Sequence, residues 1–395
     1  MNKSSPLPSD GEARAARAVP AVVQRVIISA TTLGLGGIRT HLMLLGHLLR
    51  RQGVEVMIFA TGMNWDAQSV AQLKAAGVKF ILPPASLRRS HRLSVIYSSL
   101  AWLFQVPSRA NSLYCIGPGL SHLWLQRLKP KNTPSINHEI VEPPGPQSLA
   151  GQCATGLDVT VANSKKVAQV MSEIWREKPM RIIPFLTADA PTTPPVLRRR
   201  AGVNEVLRVV YLGRLVEHKR PDQLVFRWQA LTAHPALASA RLDVYGFDPT
   251  GTMLKELRTF VVENHLSNNV TIHGEYALNA LPEILANSEL VVLPSLAEGL
   301  PLVLVEAMLH GVPFVATAAG GTAELGEDNP DVLVTGTDWA EFEAGLLAMA
   351  VKIRAGGIDP VRLHAWAEAR YGHAAVSQQW LDCLLNPRSF FGLHD

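Results

Sequence analysis

The chain alternates short apolar runs with helical stretches, breaks at a proline-rich segment, and then begins the same alternation again. Residues 25–30, 54–61, 78–82, 112–117, 134–140 and 159–163 read as strands in the first half. Several are apolar throughout, as a strand must be when both faces of its sheet are covered. Between the first two, Ile38, Leu42, Leu45 and Leu49 recur at the spacing of one helix face. Pro191, Pro194 and Pro195 precede three successive arginines, and residues 186–204 read as a linker. Strand signals resume at 207–212, 241–245, 270–273, 290–294, 313–317 and 332–334. Such alternation demands parallel strands joined by crossover helices. The expected fold class is α/β, with two Rossmann-like, doubly wound parallel-sheet domains. A length of 395 residues suits two domains, and the halves show no close sequence repeat.

Composition narrows the class further. At 47% hydrophobic residues the chain can fill two cores and falls outside the disordered class. Cys115, Cys153 and Cys383 are far apart and odd in number, which excludes a disulfide framework and zinc-site spacing and fits a reducing compartment. The first residues have no apolar stretch of signal-peptide length, and disorder is expected to about residue 24. No window approaches the ~20 apolar residues of a spanning helix. Net charge is +4 but unevenly spread. Residues 1–190 hold 21 Lys and Arg against 10 Asp and Glu, whereas 191–395 hold 16 against 23. Such asymmetry points to a polyanionic partner for the first half.

Residues 294–324, PSLAEGLPLVLVEAMLHGVPFVATAAGGTAE, place carboxylates at a loop and in the helix after it. Pro301 suits a first helical position, since it has no amide hydrogen to lose. Leu302, Val305, Met308 and Leu309 follow at helical spacing, and the helix should end near His310 and Gly311. Glu298 then stands at the helix mouth and Glu306 inside the helix. The amides of Gly299 and Leu300 would face outward, and a helix start of this kind binds anions. A glutamate there can also serve only the helix dipole.

Other strand ends carry related chemistry. After 25–30 come Gly34, Gly36 and Gly37, which let amides approach phosphate closely. A dinucleotide fingerprint fails here, because Arg39 stands at its third glycine and no acid follows 54–61. Residues 211–222, YLGRLVEHKRPD, set Gly213, Arg214 and Lys219 at a strand's carboxyl end, where cations stabilise charge developing on a diphosphate. A solvated charged loop is the alternative. His138 closes residues 134–140; a buried histidine with its hydrogen bonds satisfied is the alternative there.

Together these strings resemble the donor-site signature of retaining glycosyltransferases of the GT-B fold, the family-four, group 1 type. That pattern is Pro-Ser-x-x-Glu-Gly-x-Pro, then Glu-Ala-Met and Gly-x-Pro, all present at 294–313. The resemblance covers roughly residues 25–385 and is densest at 207–325. It implies two domains facing across a cleft: a tail to residue 24, a first domain at 25–190, a linker at 191–205, a nucleotide-sugar domain at 206–365, and a helix at 366–395 crossing back.

It also implies roles. Glu298, His138, Lys219 and Arg214 are the expected catalytic residues, with Glu298 facing the donor hexose and His138 near its reacting carbon. Donor binding falls to Gly36, Gly37, Gly213, Arg214, Lys219, Gly246, His273, Tyr276, Glu298, Gly299, Leu300 and Glu306. Glu306 would accept from ribose hydroxyls, while His273 and Tyr276 border the base. His41 matches the histidine after the first glycine pair. Three departures stand out: Arg220 and Asp248 replace glycines of the pattern, and Phe185-Leu186-Thr187 replaces Asn-Gly-Val before the linker.

The implied activity is retaining, metal-independent transfer of a hexose from a UDP- or GDP-sugar to a glycan or lipid-linked acceptor in cell-surface polysaccharide or glycolipid synthesis. No cofactor beyond the donor and no nucleic acid partner is expected. A GT-B nucleotide-sugar epimerase and a non-catalytic nucleotide-sugar binding subunit are the alternatives. Residues 87–110 combine Arg88, Arg89 and Arg92 with Tyr97, Trp102 and Phe104, which suits an anionic membrane surface. A helix whose apolar side is core is the alternative there. The expected location is cytoplasmic, peripheral on the inner membrane face if that surface is used.

Overall fold

A computed structural model describes residues 23–30, 33, 36–60, 65–84, 86–87, 90–117, 127–140, 156–174, 178–188 and 205–393. The tail to residue 22, Cys153, Arg88, Arg89 and most of the expected linker lie outside the described residues.

The first domain runs β1 (Arg25–Ala30), α1 (Gly37–Arg51), β2 (Glu55–Ala60), α2 (Ala67–Ala75), β3 (Lys79–Ile81), α3 (His91–Gln105), β4 (Ser112–Ile116), β5 (Ser135–Glu139), β6 (Val159–Ala162), α4 (Lys165–Ile174) and β7 (Met180–Ile182). Its sheet has the order β3-β2-β1-β4-β5-β6-β7, and all pairings are parallel. The second runs β8 (Leu207–Leu212), α5 (Pro221–Thr232), β9 (Ala240–Tyr245), α6 (Thr252–Glu263), β10 (Val270–Gly274), α7 (Leu281–Ala286), β11 (Leu290–Leu293), α8 (Leu302–Leu309), β12 (Phe314–Thr317), α9 (Thr322–Leu325), β13 (Leu333–Thr335) and α10 (Trp339–Arg354). Its order is β10-β9-β8-β11-β12-β13, again parallel. The chain ends in α11 (Pro360–Tyr371), α12 (His373–Leu385) and α13 (Pro387–Phe391).

Both sheets reverse direction between two central strands, β1 and β4 in one, β8 and β11 in the other. The crevice at the carboxyl ends of such strands is where doubly wound sheets bind ligands. Pleating divides the first core in two. Val26 and Ile28 of β1 pack toward α1, whereas Ile27 meets Met57, Phe59, Leu113 and Trp102 on the other face.

The twofold parallel architecture matches the sequence expectation. Strand β7 was not expected: three residues with exposed Ile182 give no apolar run to detect. The segment before the linker also differs from expectation. Ile183, Phe185, Leu186 and Thr187 are buried, and the Leu186 amide donates to His41 Nδ1 at 3.2 Å. Residues 186–187 therefore belong to the first core, not to a linker.

Trp102 is corrected as a membrane contact. It is 0% exposed, its ring lies 4.5 Å from that of Phe59, and its Nε1 donates to the Leu128 carbonyl. An indole wedged under the sheet cannot reach a surface.

The return crossing falls at Gly372, later than the expected residue 366. Leu363, Ala367 and Tyr371 of α11 pack in the second core, while Val376, Trp380, Cys383 and Leu384 of α12 pack in the first. The α12 end is also stitched to the first domain: Ser112 Oγ of β4 donates to Leu384 O at 2.7 Å, and Trp380 Nε1 donates to Pro184 O, just past β7, at 2.9 Å. Trp380→Ala should cost about 3–5 kcal/mol through the cavity it leaves. Urea denaturation should show a lowered midpoint; an unchanged one would mean that α12 adds nothing to the first core.

Candidate active site

Strand β8 ends at Leu212, Gly213 opens a turn, and the turn carries Arg214 to Lys219. At Gly246 a Cβ would meet the Gly213 carbonyl at 1.8 Å, so only glycine lets β9 end this close to the turn. Arg214 is exposed. Lys219 forms an ion pair with Glu298 across the mouth of the second sheet, with side chains only 13% and 9% exposed. Ser295 Oγ donates to Glu298 Oε1 at 2.7 Å, and Thr317 Oγ1 donates to the Ser295 carbonyl. A serine inside the quoted motif thus orients the carboxylate, a role the sequence did not reveal.

Arg220 explains one departure from the pattern. Its backbone is left-handed, with φ 51 and ψ 39, a conformation that favours glycine. The arginine holds that strain through its side chain. Nε donates to Pro294 O at 2.6 Å and Nη2 to Thr337 O at 2.9 Å. Its guanidinium is thus committed to the Pro294 and Thr337 carbonyls.

Pro301 is the N-cap of α8, with ψ 103, and the helix starts at Leu302. The expected first-turn place for Pro301 is thus off by one residue, because its ψ is extended. Among the described residues, neither the Gly299 nor the Leu300 amide donates to a backbone carbonyl. Glu306, two turns down from the helix mouth, is 9% exposed, and burial pushes its carboxyl up to about 8. Burial also raises the Tyr276 hydroxyl, with the Glu306 charge adding and Arg39 opposing. Arg39 belongs to α1 of the first domain, so the two domains meet around Tyr276. Its Nε is buried without a partner among the described residues, and no spacing rule singled it out.

The first domain closes the other side. Gly36, with φ 113, leads into α1. A Cβ at Gly37 would lie 3.3 Å from the Phe185 ring and 3.9 Å from Leu302 Cβ, so the start of α1 stands against the start of α8. At Gly299 a Cβ would meet the Ile140 carbonyl at 1.7 Å, and at Gly321 the Ser164 Cβ at 2.5 Å. Glu324 accepts from the Lys165 amide at 3.1 Å, capping α4 across the domain boundary.

His138 lies near the carboxyl end of β5, two residues before the Ile140 carbonyl that meets Gly299. It is 1% exposed, ringed by His41, Phe185 and Trp380. Its hydrogen bonds fix a tautomer. The Leu186 amide occupies His41 Nδ1, so His41 Nε2–H donates to Tyr114 Oη at 3.1 Å. The Tyr114 hydroxyl then donates to His138 Nδ1, leaving a proton on His138 Nε2, which is buried without a partner among the described residues. Burial holds both imidazoles neutral, His41 at about 3 and His138 well below its usual value. His138 is thus a hydrogen-bond donor rather than a base. His273 is exposed, stacked 4.0 Å from Tyr245 and bonded to Asp243 at 2.6 Å. Asp243, Tyr245 and Tyr276, but not His273, line a cavity of about 600 Å³ that extends to Arg208 and Arg241 at the amino ends of β8 and β9.

Residues 206–350 match the family described as glycosyl transferases group 1. No curated protein matches by sequence. HepE of Anabaena, solved with UDP and glucose, aligns with a TM-score of 0.69 at 21% identity, over 92% of this chain and 100% of its own. Sucrose-phosphate synthase of Thermosynechococcus elongatus aligns with 0.71 at 17%, over 94% and 100%. The lipopolysaccharide outer core galactosyltransferase WaaB, in its apo form, gives 0.63 at 15%, over 92% and 100%. The chain has the GT-B glycosyltransferase fold. In this GT-B chain the group 1 match covers β8 to α10, the part that supplies Lys219, Glu298 and Glu306.

Two predictions test the site's electrostatics. Lys219→Ala strands a nearly buried charge on Glu298 and should destabilise by about 3 kcal/mol, whereas Lys219→Ala with Glu298→Gln should be less destabilised than the single variant. Equal losses in thermal melts would show that the pair is not coupled. For Glu306, folding raises the carboxyl above its unfolded value, so its contribution is complete at low pH and is lost as pH rises toward 8. Relative to Glu306→Gln, the wild type should lose on the order of 3 kcal/mol between pH 5 and pH 8. A constant difference across that range would contradict the buried, protonated carboxyl.

Proposed function

We propose that this protein transfers a hexose from a UDP-sugar, with retention of configuration, to a glycan or lipid-linked acceptor. The observation that carries this reading is the Lys219–Glu298 ion pair beside the Gly299 and Leu300 amides, which donate to no backbone carbonyl among the described residues, held against the first domain at Ile140. A nucleoside diphosphate leaving group gains charge as its bond to the sugar breaks. Lys219, Arg214 and those amides can meet that charge without a metal ion. Binding of the diphosphate would draw Lys219 toward phosphate and release Glu298 to face the hexose. Glu306, with a high carboxyl pKa, suits hydroxyl partners such as a ribose better than a cation. UDP is preferred as the nucleotide because HepE was solved with UDP and with UDP-glucose.

A thermal-shift series with UDP, GDP and ADP tests the donor. UDP at a hundred times its dissociation constant should stabilise by about 2.7 kcal/mol, and GDP and ADP by less. Lys219→Ala and Glu298→Gln should each lower transfer by about 100-fold or more. Near wild-type transfer by either variant, or no response to any nucleotide, would overturn the reading. Product formed from donor without acceptor would favour an epimerase.

A further inference from the structure

Helix α3 is built inside out. Its buried side carries Ser94, Ser98, Ala101 and Trp102, while Leu93, Ile96, Leu100, Leu103 and Phe104 are exposed, Phe104 to 85%. At 100° per residue these five side chains and exposed Arg92 fall within an arc of about 120°, opposite the core-facing side. Scattered exposed apolar residues are ordinary, but a continuous stripe marks a contact surface. The inward serines sharpen the point. Ser98 Oγ must donate to the Ala60 carbonyl at 2.9 Å, and Ser94 Oγ has no partner among the described residues. A helix selected only to pack on this sheet would be turned around.

The charge around the stripe identifies the occupant. Residues 67–138 contain nine Lys and Arg and not one Asp or Glu. Arg92 lies within the stripe and exposed Arg109 lies just past the helix end. A second copy of this chain would bring the same basic surface against itself and be repelled. We infer that α3 docks this protein on an anionic lipid bilayer, lying in the interface with its apolar stripe among the acyl chains and its arginines at the headgroups. With 15 residues α3 is about 22 Å long, and no helix among the described residues is long and apolar enough to cross a membrane. Ser98 ties α3 to the carboxyl end of β2, the edge that faces the cleft. On the transferase reading, docking there presents the cleft to an acceptor embedded in the same bilayer.

Sedimentation of the full chain with phosphatidylcholine vesicles, with and without phosphatidylglycerol, tests this independently of any nucleotide. Binding should need phosphatidylglycerol and fall at high salt. Leu100→Glu with Phe104→Glu should weaken it by about tenfold or more, and Arg92→Gln by about fivefold, with melting temperatures unchanged because these side chains are exposed. Equal binding to neutral vesicles, no binding at all, or wild-type binding by the variants would overturn the inference. So would a wild-type dimer that the Leu100→Glu, Phe104→Glu variant disperses, which would make a second copy the occupant. A UDP response that survives any of these failures would leave the donor reading standing.

Discussion

Lys219 and Glu298 face each other almost out of water, and neither is tolerable there alone. Much of the second domain's upper edge exists to hold this pair. Gly246 clears the way for the Gly213 turn, Arg220 takes a left-handed backbone to end the turn, and its guanidinium clasps the Pro294 carbonyl. Ser295 and Thr317 then chain Glu298 to β12. Held in this way, both charges stand in place at the mouth of the second sheet.

The opposing domain meets this edge in close backbone contacts. Gly299 meets Ile140, Gly321 meets Ser164, and Glu324 caps α4 through the Lys165 amide. Each contact lies within a few residues of Glu298 or its neighbouring loop. The loop that carries the carboxylate is therefore also the loop that meets the first domain.

The sequence made the two sheets legible because strands buried on both faces must be apolar, and all but the three-residue edge strand β7 announced themselves. The Lys219 and Glu298 loops and the Glu306 helix stood out through their resemblance to the glycosyltransferase motif, whereas the pairing of Lys219 with Glu298 depends on the fold. Other features depend on contacts between distant positions. His41 and Tyr114 are 73 residues apart, and nothing in either neighbourhood foretells that their bond sets the tautomer of His138. The α3 segment misled for a different reason. Its apolar residues go nearly all the way round, so composition found the basic-aromatic surface but could not tell that Trp102 points inward while Phe104 points out.

Helices α12 and α13 place Trp380, Leu384 and Phe391 in the core built by β1, β4 and β5. During synthesis the strands of the first domain emerge early, yet its apolar interior stays unfinished until α12 and α13 follow the whole second domain. A domain that cannot close before those helices are made is exposed to aggregation for that interval. Folding of the two halves is thereby made concurrent instead of successive, and a nascent chain truncated before α12 would present an open face for chaperones to hold.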